Sequence, residues 1–113
     1  MGKRYSEGSE ALSLRPKSGI ISINAGNYRL LETKISGELT HVQLLTTPEV
    51  PNSFWIRPCQ PKDIGAKKLN GTGKDISCTI FFKTIRLPTE ETTLVPTSWD
   101  FENDALRVDL PTP

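Results

Sequence analysis

Five basic side chains, Arg15, Lys17, Arg29, Lys83 and Arg86, carry the chemistry that this sequence suggests most directly. Spaced over one face, guanidinium and ammonium groups neutralise phosphates and release the counterions that a polyanion holds. Arg15 and Lys17 stand just before the first regular segment, Arg29 in a first short helical pattern, and Lys83 and Arg86 in a second. Trp55 alternates with Phe54 and Ile56, so it lies on the opposite side of its strand from them. An exposed indole there would stack a base or seat a partner; a covered one would close the second face of a barrel.

Other chemistries lack their residues. His41 is the only imidazole, and no serine stands in a Gly-x-Ser-x-Gly setting. Glu90 and Glu91 follow Pro88 and read as a solvated turn. Cys59 and Cys78 have no Cys-x-x-Cys spacing and only one histidine to join them, so no zinc site is expected and both read as free thiols. Residues 69–75 imitate a phosphate loop, but Lys68 stands where its first glycine belongs and Asp75 where a magnesium-binding Ser or Thr belongs. The sequence therefore predicts no enzyme, no metal and no cofactor.

The 113 residues suit a single domain, and with 35% hydrophobic and 24% charged residues the chain is too mixed for a disordered polymer. No run approaches a membrane span, and the first 20 residues hold no apolar signal core, so a cytoplasmic protein is expected. The net charge of +1 conceals an asymmetry: residues 1–87 carry +6 and residues 88–113 carry −5. A basic body that meets a polyanion is one reading of it; mutual neutralisation of two packed segments is the other.

The elements that must position these groups come in two similar sets. Residues 21–24 (Ile-Ser-Ile-Asn) and 76–79 (Ile-Ser-Cys-Thr) are short alternating strands, each ending in a helix N-cap, Asn24 or Thr79. Helices are expected over 25–32 and 80–87, the second stopped by Pro88. A hairpin follows each, with strands over 41–46 and 53–58, then 92–97 and 105–110. In the last strand Leu106, Val108 and Leu110 face one way, and Ala105, Arg107 and Asp109 the other.

The expected fold is mainly β with short helices: two β-α-β-β units forming a small closed barrel about a pseudo-two-fold axis, which removes open sheet edges. Its boundaries are a flexible arm over 1–18, with a short ordered piece at 11–14, and one domain over 19–113. Within that domain, unit one covers 19–59, a looped connection with Lys67, Lys68 and Lys74 covers 60–74, and unit two covers 75–110.

A strand that runs into a short helix and then a hairpin, with residues 21–31 reading ISINAGNYRLL, resembles the swapped-hairpin barrel of AbrB-like transition regulators, MazE-type antitoxins and the tandem MraZ proteins. Arg29 falls on that family's arginine run, with Lys83 as its counterpart in the second copy. The resemblance implies DNA binding through a basic face of a two-fold barrel. The function expected is thus a small non-enzymatic DNA-binding protein of regulator or antitoxin type. The alternative is a non-catalytic interaction or assembly module, such as a phage-type accessory protein. It would meet a protein partner or a second copy through Trp55, the hairpin loops and the acidic end.

Overall fold

The computed structural model describes residues 11–70, 74–85, 87 and 90–111. The fold is mainly β, with eight antiparallel strands and two short helices among the described residues. The strands are β1 (Ala11–Arg15), β2 (Ile20–Ile23), β3 (His41–Leu45), β4 (Ser53–Cys59), β5 (Lys67–Lys68), β6 (Asp75–Ser77), β7 (Thr93–Asp100) and β8 (Ala105–Asp109). The helices are α1 (Ala25–Glu32) and α2 (Thr79–Thr84). The strands lie in the order β5-β3-β4-β8-β7-β1-β2-β6. Just beyond β5, the Asn70 N–H donates to the Asp75 carbonyl at 2.9 Å, so the two ends of the sheet meet and the barrel nearly closes.

Strand alternation fills the interior. Leu12 and Leu14, Ile21 and Ile23, Phe54 and Ile56, and Leu106 and Val108 point inward from four strands, and Ile76 and Val95 join them. The expected alternation of the last strand holds for its buried side, Leu106, Val108 and Leu110.

The two halves are related by a pseudo-two-fold axis that the strand register makes explicit. Ile21 and Ile76, fifty-five positions apart and alike in sequence, are direct partners across the β2–β6 ladder. The hairpin that pairs Arg15 with Ile20 has its counterpart in the bridge of Asn70 with Asp75. Gly19 and Lys74 each stand just before the second partner of these two pairings, and both have positive φ, 69° and 54°. Each then accepts a hydrogen bond across the ladder: Cys78 N–H to the Gly19 carbonyl, and Ile23 N–H to the Lys74 carbonyl.

This register redraws the expected boundaries. The repeating unit has five elements, β1-β2-α1-β3-β4 and β5-β6-α2-β7-β8. The ordered piece expected at 11–14 is β1, which is paired on both edges by β2 and β7; regular structure starts at Ala11, and residues 1–10 of the arm lie outside the described residues. The connection over 60–74 contains β5, where a loop was expected. Lys67 and Lys68 have no strand-like apolar pattern. They are extended because β3 pairs with them and the Leu69 N–H donates to the Thr40 carbonyl at 2.8 Å.

Helix α1 has the predicted bounds, and the Asn24 Oδ1 caps it by accepting the Asn27 N–H at 2.8 Å. Helix α2 differs from expectation. Its N-cap residue is Cys78, whose side chain makes no capping bond, and Thr79 is already helical. The chain becomes extended at Ile85, before Pro88, which lies outside the described residues. Phenylalanine, isoleucine and threonine are mediocre helix formers, so a turn and a half persists only where packing holds it. That packing is Phe81 edge-on to Phe54, with ring centroids 5.0 Å apart, and Ile85 buried beyond the helix.

Gly19 is under the tightest constraint. A Cβ there would collide with the Thr79 side chain and backbone, and the positive φ adds strain for any other residue. Gly19→Ala is expected to cost about 1–3 kcal/mol. Ile76→Ala, at the axis, is expected to cost about 2–4 kcal/mol. Urea unfolding of both variants checks this. A neutral Gly19→Ala would mean that the β1–β2 turn does not pack on α2.

Candidate functional site

Strands β2 and β6 are antiparallel, and each runs into its helix after a single residue, Asn24 or Cys78. Helices α1 and α2 therefore leave from opposite ends of this strand pair, and the four described basic side chains divide between those ends. Arg15 closes β1 and Lys17 lies in the turn whose Gly19 packs on Thr79 of α2. Both are exposed at the α2 end, as is Lys83 on α2 itself. Arg29 is exposed on α1, at the other end, so one face does not carry it together with Arg15, Lys17 and Lys83. Arg86 lies outside the described residues. Lys17 is also not a bare charge: its ammonium is 3.9 Å from the Glu91 carboxylate, in an exposed pair that contributes little stability.

Sequence reasoning passed over two side chains at the α2 end. Ile80, in the first turn of α2, is 78% exposed, and Leu94 on β7 is 68% exposed. Leu94 pairs with Ser13, two residues from Arg15 along the same face of β1. Ile80 and Lys83 are three apart and share a helix side. The signal for Ile80 was present in the sequence: once Phe81 and Ile85 turn to the core, Ile80 is left outside.

Trp55 is covered. Only 7% of it is exposed, on the outer side of β4 opposite Arg107 of β8. Its Nε1–H donates to Asp100 Oδ2 at 2.8 Å, and the Arg107 guanidinium lies 5.7 Å from the ring centroid. The indole floors a cleft of about 420 Å³ between the β3–β4 and β7–β8 turns, with Arg57, Arg107, Glu49 and Glu102 around it. An indole so enclosed offers little surface for a base or a protein partner to stack on. Arg107, on the face of β8 opposite Leu106 and Val108, donates to Asp109 at 2.8 Å and to Ser53 at 3.3 Å. Arg107 is therefore already engaged within the fold.

The other reactive groups are quiet. Cys59 and His41 are cross-strand partners in β4 and β3. Burial, with the Asp63 carboxylate adding to it, raises the Cys59 thiol above its ordinary pKa, the opposite of what a nucleophile needs. Burial pushes Cys78 up to about 11. Both thiols are free, and among the described residues no three His, Cys, Asp or Glu side chains group as metal ligands.

Two measurements follow from these environments. Asp100 is held below the usual carboxylate range by the Asn103 side chain, then by the Trp55 indole, then by backbone N–H groups of Asn103 and Glu102. A carboxylate with a depressed pKa stabilises the fold above its unfolded value, and that contribution fades as pH falls through the folded value, in the acid range below about pH 4. Trp55→Phe removes one donor, so the Asp100 titration, followed by carboxyl NMR, is expected to move upward. Iodoacetamide at neutral pH is expected to leave Cys78 unmodified in the folded chain and to label it in urea, as mass spectrometry would record. Labelling of the folded chain at the unfolded rate would contradict its burial.

No family model matches this chain, and no curated protein or solved structure matches it either.

Proposed function

We propose that this barrel is a non-catalytic protein-interaction module that binds an acidic, apolar segment of a partner at its α2 end. The observation that carries this reading is the exposure of Ile80 and Leu94 beside Arg15, Lys17 and Lys83. Neither apolar side chain serves the core. Fifty-five positions before Ile80, the start of α1 has an exposed Ala25, so the architecture does not require a large residue there. Apolar groups framed by cations suit a segment in which hydrophobic and acidic residues alternate.

Duplex DNA suits this surface less well. It offers phosphates but few apolar partners, and Glu91 sits among the cations. The DNA-binding reading that the AbrB-like resemblance implies also calls on Arg29, from the opposite end of the β2–β6 pair.

Fluorescence anisotropy with two labelled probes separates the two readings. One probe is a peptide of alternating Leu and Glu, the other a mixed-sequence duplex. The peptide is expected to bind, and Ile80→Ser with Leu94→Ser to abolish binding without unfolding the chain, since both side chains are exposed. A duplex that binds with a log-log salt slope near −3 or steeper, unchanged by those two substitutions, would replace this function with DNA binding.

A further inference from the structure

At the α1 end, the loop after α1 brings Lys34 to the aromatic residues that close β7. The Lys34 ammonium lies 4.8 Å from the Trp99 ring centroid and 5.7 Å from that of Phe101. Trp99 is half-buried against the core, which fixes its ring, whereas Phe101 is 80% exposed in the turn after β7. Lys34 and Trp99 line a cleft of about 430 Å³ together with Arg57, Glu102 and Asp104, and Phe101 reaches the same ammonium from beside it.

We propose that the Trp99–Phe101 pair is a binding site for an alkylated ammonium group, such as a methylated amine, and that Lys34 occupies it in the free protein. Two ring faces turned to one cation attract it through their quadrupoles, and they do so without donating or accepting a hydrogen bond. That suits a quaternary ammonium better than a primary one. Lys34 carries three N–H donors that water satisfies and the rings do not. It is exposed and tethered by a flexible stem, so it can withdraw. When it does, Glu102 and Asp104 outnumber Arg57, whose guanidinium is already tied to the Asn103 carbonyl at 3.0 Å. The emptied cleft then has the Trp99 ring as one wall, the Phe101 ring facing the vacated ammonium position, and a net negative rim, the complement of a methylated cation. An exposed phenylalanine in a tight turn has no evident use in the fold, and this site explains it.

The site is at the opposite end of the barrel from Ile80 and Leu94, so it stands or falls independently of the surface assigned to the partner segment. The test uses the full chain, titrated with tetramethylammonium chloride and followed through the Trp99 indole resonance by NMR. Sodium chloride controls for ionic strength, and tert-butanol serves as an uncharged molecule of similar shape. Saturable shifts are expected with tetramethylammonium alone. Phe101→Ala is expected to weaken binding by about two- to fivefold, as loss of one exposed cation–π contact does, and Lys34→Gln to tighten it by removing the internal competitor. The dispersion of the remaining resonances reports that each variant is folded. No saturable shift up to roughly 50 mM, well above the millimolar range in which weak ligands saturate, would overturn the proposal. So would an equal response to tert-butanol, or weaker binding in Lys34→Gln.

Discussion

The pairing of β2 with β6 is the constraint on which the other contacts depend. Two strands of three or four residues meet antiparallel with Ile21 opposite Ile76, both fully buried. Because each strand turns into a helix after one residue, this one register decides where both helices emerge. It also places Gly19 and Lys74 so that their carbonyls accept hydrogen bonds from the opposing halves. Neither half could bury its own apolar face; joined through this ladder, they share one core.

Closure then follows from the short flanking strands. A β2–β6 pair alone would leave two open edges, which invite association with other chains. Strand β1 covers one edge and links it to β7, while β5 with Asn70 covers the other and links it to β3. The two covers are unequal. Strand β1 has five residues and buries Leu12 and Leu14 completely, whereas β5 has two lysines followed by a buried Leu69. The seam at β5 is the thinnest part of the barrel, held by few ladder bonds.

Duplicated architecture does not give duplicated surfaces. The α2 end carries Arg15, Lys17 and Lys83 around Ile80 and Leu94. The α1 end carries Lys34 against Trp99 and Phe101, and Lys74 with its ammonium 4.5 Å from the Tyr28 ring centroid. Tyr28 in turn donates its hydroxyl to the Leu39 carbonyl, and burial, then Glu32 and Glu38, raises its pKa. Core positions such as Ile21 and Ile76 or Leu14 and Leu69 remain alike because the shared interior demands it. Exposed positions carry no such demand, so each end is free to hold its own binding chemistry.

The chain by itself determined the mainly β class, the order strand, helix, hairpin in both halves, the bounds and cap of α1, and the buried face of β8. Each of these rests on local physics: period-two alternation, a side chain within reach of a free N–H, or a turn residue. Tertiary structure alone decided that Ala11–Arg15 and Lys67–Lys68 are strands, because a neighbouring backbone supplies hydrogen bonds that their own sequence does not announce. It decided that α2 begins at Thr79 and ends before Pro88, through the packing of Phe81 and Ile85. It also separated Arg29 from Arg15, Lys17 and Lys83, and covered Trp55 with Arg107 and Asp100. Those outcomes depend on strand register and packing, which join residues distant in the chain, and no local pattern carries that information.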